Sequence, residues 1–301
     1  VRSYASRISP GALQQGVTGG TAFALEKHGR YSSYYMRTGG MSGKKVIRIF
    51  HQMARSGATV VSRCLGCMQN VALLSEIHPC DAPEMAAIQA RQWHNLLTRE
   101  EVEDIVEKRV HRRFSEDIAV IESACSRQGK ILVLRDWSHR DFTPVEGEPL
   151  PTYVLSLVEE LREHFTIVRT ALVRHPIDQW MSLRQLTAAQ GKVSLDSFLY
   201  GYYRFAQECL SLGFIRYEDF TRDPDTHLEV LCQRLHVPFD PDYKHKWTSY
   251  VTISGDYPPS GRGRNEILPL PRQTIEPELL RQFQGNPHYR SALEMLGYQD
   301  F

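Results

Sequence analysis

A short apolar run followed at once by a glycine turn is the feature that most constrains the fold. Val46-Ile-Arg-Ile-Phe50 has the β-branched and aromatic composition of a buried strand. The residues after it, His51-Gln-Met-Ala-Arg-Ser-Gly-Ala-Thr59, turn at Gly57, and Thr59 to Met68 reads as a helix. Further strand signals lie at Lys130-Ile-Leu-Val-Leu134, Thr166 to Val173 and Phe214-Ile-Arg-Tyr217. Helical stretches separate them. One covers Glu84 to Leu97, and a capping box at Thr98-Arg-Glu-Glu101 opens another that runs to about Arg127. Thr152 to His164 is helical in periodicity, Pro176 suits a first helical position, and Ser194 to Leu210 and Asp223 to Leu235 follow. Two short helices are expected after Arg272. Strands alternating with helices predict an α/β fold of three layers, with a central, mostly parallel sheet flanked by helices. In such sheets ligands bind at the carboxyl ends of the strands, so the residues just after each strand carry the chemistry.

The chain has 301 residues, 42% of them hydrophobic, enough to bury one large core. Met41 stands just before the first strand, so the main domain is expected to span residues 41–301. Residues 1–40 are rich in Gly, Ser and Tyr and carry Arg2, Arg7, Lys27, Arg30 and Arg37 against a single acid, Glu26. That composition suits a flexible extension or a targeting segment. A net charge of +1, from 36 basic and 35 acidic residues, gives no field that would recruit nucleic acid. The six cysteines are scattered, which argues against a disulfide framework and points to a reducing compartment, the cytoplasm. Cys64 and Cys67 have C-x-x-C spacing but no second pair at metal spacing, so no metal site is expected. No run of about 18 apolar residues exists, so no membrane span is expected.

Four constellations could hold anions. In the first, Arg55-Ser-Gly-Ala-Thr59 enters a helix, where backbone N–H groups and the helix dipole favour negative charge. Arg55 adds a fixed cation, and Ser56 and Thr59 add hydroxyls. The Walker pattern G-x-x-x-x-G-K-[ST] is absent, so the usual grip on a magnesium nucleoside triphosphate is missing. The second is Arg174-His-Pro, at a strand end, with Ser182 eight residues on. Both side chains could reach one phosphate, or Arg174 could instead pair with Asp178. The third is Arg216-Tyr-Glu-Asp219 followed by Asp223-Pro224, where Arg216 and Glu218 could be a simple ion pair. The fourth is Ser260-Gly-Arg-Gly-Arg264, a basic glycine loop.

In this order and spacing the set resembles the sulfotransferases that use 3′-phosphoadenosine 5′-phosphosulfate (PAPS), a P-loop-type α/β family with bacterial and Golgi members. Arg55, Ser56, Gly57, Ala58 and Thr59 resemble the family's 5′-phosphosulfate loop, with Ala58 where a Ser or Thr is common. Arg174 and Ser182 resemble its 3′-phosphate motif, and Arg262 and Arg264 approximate its basic glycine loop. The likeness covers about Val46 to Asp242. It implies in-line attack by an acceptor hydroxyl or amine on the sulfur of PAPS, with PAP as the product and no metal required. It also implies a general base. Glu76, in Leu74-Ser-Glu-Ile-His-Pro79, is the first candidate, His139 the second and Asp136 the third. The acceptor classes left open are a small molecule, a carbohydrate or a peptide, and a homodimer is compatible with the sequence. The rival readings are a kinase-like P-loop phosphotransferase and a non-catalytic nucleotide-binding protein.

Overall fold

Strand β1 (Val46–Gln52) runs through the middle of the sheet and delivers the chain to helix α1 (Ala58–Gly66). We describe a computed structural model, which covers residues 43–186, 191–255 and 266–300. The expected extension at 1–40 and the loop bearing Arg262 and Arg264 lie outside the described residues. After α1 come β2 (Val71–Ile77), α2 (Met85–His94), α3 (Arg99–Glu107), α4 (Phe114–Arg127) and β3 (Ile131–Asp136). Then follow α5 (His139–Phe142), α6 (Ser156–Leu161), β4 (Thr166–Val173), α7 (Pro176–Leu183), α8 (Leu195–Leu212) and β5 (Phe214–Arg216). The chain continues through α9 (Tyr217–Arg222), α10 (Pro224–Leu235), α11 (Tyr243–Lys246), α12 (Pro277–Gly285) and α13 (Pro287–Leu296). The strands form one five-stranded sheet in the order β2-β3-β1-β4-β5, and every neighbouring pair is parallel.

Parallel pairing needs a crossover between strands, and the helices supply it while covering both faces. The two-residue side-chain period of a strand divides the core accordingly. Ile47, Ile49, Leu132, Leu134, Ala171 and Val173 pack into one cluster with residues of α4 and α8 such as Ile121, Phe198 and Phe205. Phe50, Val133, Leu172 and Ile215 pack into the other with Val61 and Leu65 of α1 and Leu228 and Leu231 of α10. Phe50 is fully buried, which contributes about 1.5–3 kcal/mol for a side chain of this kind. The consequence for function is geometric: all the carboxyl strand ends open on one edge of the sheet.

The sequence expectations hold for the order of layers and need correction in three places. The first is β2, which was not among the expected strands. It is a buried run, VALLSEI, reached through a tight turn at Asn70 with φ 63°, and it places Glu76 within a strand. The second is the helix expected from Thr98 to about Arg127. It breaks into α3, a 3₁₀ turn at Arg109–His111 and α4, and Arg112 in the break pairs with Asp104 and Asp117. Its start is as expected: Thr98 Oγ1 accepts from the Glu101 N–H at 3.2 Å, and Glu101 accepts from the Thr98 N–H at 2.8 Å. The third is the helix expected from Thr152, which forms only over Ser156–Leu161 and leaves Val154 exposed. Among the described residues no helix is long and apolar enough to cross a membrane.

Candidate active site

The loop between β1 and α1 is held in a conformation that its sequence makes affordable at only one position. Gly57, the residue before α1, has φ 89°, and a Cβ placed on it would overlap the ring of Tyr217. Glycine is therefore required there for both backbone and space. Arg55 also lies in the left-handed region, at φ 66°, a conformation that costs a non-glycine residue free energy and needs support from its surroundings. That support is visible. The Arg55 carbonyl accepts from the Arg174 guanidinium at 3.2 Å, and the Ala54 carbonyl accepts from Gln179 Nε2 at 2.7 Å. Ser56 is buried, and its hydroxyl donates to Gln52 Oε1 at 3.4 Å. Ala58 is buried at the first turn of α1, and Thr59 beside it is half-buried.

The second motif closes on the first. Pro176 opens α7 directly after β4, which sets Arg174 at the strand end and Ser182 two turns into the helix. Arg55 Nε donates to Ser182 Oγ at 2.9 Å, across 127 residues of sequence. The Arg174 guanidinium lies 5.1 Å from the centre of the Tyr217 ring, at cation–π distance. Arg55, Gly57, Arg174, Ser182 and Tyr217 therefore belong to one cluster at the carboxyl edge of the sheet. Beside it runs a cleft of about 400 Å³ lined by Arg174, Asp178, Tyr217, Arg272 and Tyr298 among others. Burial pushes the Asp178 carboxyl up, and the guanidinium groups of Arg174 and Arg272 oppose that shift, so both arginines face this acid. Arg216 pairs with Asp219 at 2.6 Å, not with Glu218. Glu218 instead accepts from the His175 N–H at 2.8 Å and from the Tyr298 hydroxyl at 2.7 Å, tying the chain end to the β4–α7 corner.

The three candidate bases fare differently. Glu76 sits where the β2–β3 register shifts between Ser75 and Ile77, with φ 56°. Such a bulge re-aims one side chain out of the pleat. Its carboxylate is 22% exposed and lies 3.4 Å from Arg135 NH2. Arg135 also donates to Ser75 Oγ at 2.9 Å and to the Ser254 carbonyl at 3.3 Å. Gly255 packs on the same acid: a Cβ there would lie 2.5 Å from Glu76 Oε1. β2 is two strands from β1 in the sheet, about 10 Å at ordinary strand spacing. His139 begins α5 with its ring edge against Trp137 at 5.2 Å, and its Nδ1 is buried without a hydrogen-bond partner among the described residues. Burial, helped by Arg140, His78 and Arg135, pushes its pKa down to about 3. Asp136 is fully buried and accepts from Ser138 Oγ at 2.6 Å, with His51 Nδ1 at 2.6 Å on the same oxygen. It is committed to holding the β3–α5 turn against β1.

Sequence reasoning missed the supporting set. Gln179, Arg135 and Arg272 were not singled out, and Tyr217 was quoted only as part of a motif. The signal available for Arg135 was a charge at the end of an otherwise apolar strand, Leu132-Val-Leu-Arg135, where burial demands partners.

The depressed pKa of His139 has a consequence for stability. In the unfolded chain an ordinary histidine takes up a proton near pH 6.5, whereas the folded ring does not until about pH 3. The unfolded state therefore binds more protons in that window, and stability should fall as pH drops through it. Urea midpoints of the wild type should decline between pH 7.5 and 5, and the decline should be shallower in His139→Gln.

No protein-family model matches the chain, and no curated protein does. Fold and site together define an α/β protein with a glycine turn entering a helix at the carboxyl edge of a parallel sheet. Solved structures narrow this. A sulfotransferase domain from the curacin biosynthetic pathway superposes with a TM-score of 0.57 at 16% identity, covering 86% of this chain and 99% of that one. A sulfotransferase domain from the Synechococcus PCC 7002 olefin synthase gives 0.55 at 17% identity, covering 85% and 96%. The chain has the sulfotransferase fold.

Proposed function

We propose that this protein transfers the sulfuryl group of PAPS to a hydroxyl or amine of an acceptor. The observation that carries the reading is the 2.9 Å hydrogen bond between Arg55 and Ser182. It brings a helix-start anion loop and a second cationic motif to one place, as a donor with phosphates at both its 5′ and 3′ positions requires. A nucleoside triphosphate needs no second motif of this kind, and the lysine that would grip its phosphates is absent.

In this reading the 5′-phosphosulfate lies over the loop from Arg55 to Thr59. Arg174, Ser182 and Arg272 attract the 3′-phosphate, and Tyr217 offers the base a flat apolar surface. The acceptor oxygen or nitrogen attacks sulfur, the S–O bond to the 5′-phosphate breaks, and PAP leaves with the electron pair. Charge grows on that bridging oxygen, where Arg55 and the loop amides stabilise it. Glu76 takes the acceptor proton. The bulge turns it outward and Arg135 holds it, whereas a histidine with a pKa of about 3 is a feeble base near neutrality. Arg262 and Arg264 remain candidates for closing over the donor on the strength of the sequence resemblance.

Thermal shift tests the donor. PAP at about 100 times its dissociation constant should stabilise the protein by about 2.7 kcal/mol, and Mg-ATP at the same concentration should leave the melting temperature unchanged. The opposite ranking would select a phosphotransferase.

A further inference from the structure

The loop between β1 and α1 is held by α7, and one of the residues that holds it, Gln179, is a buried amide. Gln179 is 1% exposed, between Asp178 and Trp180, both also buried. Its Nε2 donates to the Ala54 carbonyl at 2.7 Å. The next carbonyl, that of Arg55, is taken by Arg174 at 3.2 Å. An anion loop works by aiming N–H groups at the ligand, and any carbonyl that swings toward the ligand repels it. In a trans peptide the C=O and the following N–H point in opposite directions. With the Ala54 carbonyl anchored toward α7, the Arg55 N–H is directed to the other side of the loop. The same anchor steadies the left-handed backbone of Arg55, which costs free energy and would relax if released.

We infer that Gln179 is a positioning residue for the proposed transfer. It locks the Ala54–Arg55 peptide with its carbonyl away from the anion, and so sets the direction of both the Arg55 N–H and the Arg55 side chain. The inference rests on the donor reading above. It adds that α7 serves the phosphosulfate loop as well as the 3′-phosphate, through a side chain that touches neither phosphate.

The test is calorimetric affinity for PAP in the wild type, Gln179→Met and Gln179→Glu, from pH 8 to pH 5. Methionine keeps the volume and removes the donor, so its dissociation constant should rise about ten-fold and keep the same ratio to wild type at every pH. Glutamate repels the Ala54 carbonyl when ionised and donates to it when protonated, and burial raises its pKa. Its affinity should be at least about thirty-fold weaker than wild type at pH 8 and return to within about three-fold at pH 5. A residue that merely fills space would not produce a titrating ratio. A flat ratio for Gln179→Glu, or wild-type affinity in Gln179→Met, overturns the inference and leaves the donor reading standing. Wild-type protein that does not bind PAP overturns the donor reading itself. Should Gln179→Glu fail to fold, Gln179→Met decides the matter alone. Single-turnover transfer should slow along with the weaker PAP affinity in Gln179→Met, because the same peptide aims the Arg55 side chain, and unchanged kinetics overturn the inference.

Discussion

Arg55→Ala is expected to lower turnover about 10³-fold while the protein stays folded. The size of the effect follows from where the guanidinium sits. It leads the only loop among the described residues that combines a helix start, a left-handed backbone and a second cationic motif within hydrogen-bond reach. A donor aimed at developing charge contributes more to the transition state than to the ground state, so the loss should fall mainly on kcat and less on PAP affinity. The fold should survive because the side chain is only partly buried, whereas the loop backbone is held by Arg174 and Gln179. Circular dichroism and the urea midpoint check the fold, and single-turnover transfer from labelled PAPS checks the rate. A variant that turns over like wild type would remove the phosphosulfate loop from the mechanism.

Glu76→Gln is expected to cost about 10² in kcat with PAP affinity preserved. The substitution keeps the shape and removes the basic oxygen. It also keeps an acceptor for Arg135, so the bulge and the packing of Gly255 should persist. The pH–rate profile distinguishes the bases further. Burial pushes the His139 pKa down to about 3, so an ionisation near neutrality is expected from another group. Retained turnover in Glu76→Gln together with a loss in His139→Gln would transfer the role to the histidine.

The parts of the fold that were legible in the sequence are those where local chemistry admits few alternatives. Val46 to Phe50 is too short and too β-branched for a buried helix, and Gly57 marks the turn that must follow it. Pro176 after an apolar run fixes both the end of β4 and the start of α7, which is why Arg174 and Ser182 could be placed in register with each other. β2 was not legible because VALLSEI is largely leucine, alanine, serine and glutamate, with β-branched residues only at its ends. Its strand character comes from pairing with β3, a tertiary influence on a sequence with little preference of its own. The candidate base was thus found by resemblance, while its placement at a bulge was not foreseeable. Gln179 was hidden for a related reason. A glutamine within a helix reads as a solvent-facing residue, and only the approach of the loop from more than a hundred residues earlier gives its amide a buried carbonyl to hold. The nearness of Arg135 to Glu76 depends on strand order, which alternation of elements leaves undetermined.

The central claim is that the loop at Arg55 and the motif at Arg174 together read a nucleotide with phosphates at both its 5′ and 3′ positions. Calorimetric titration of PAP, and of AMP lacking the 3′-phosphate, into wild type and Arg174→Ala tests this directly. The account predicts one PAP per chain, weakened at least about 10²-fold in the variant, and weak AMP binding that differs little between the two proteins. Equal PAP affinity in wild type and variant, or AMP binding as tightly as PAP, would contradict it.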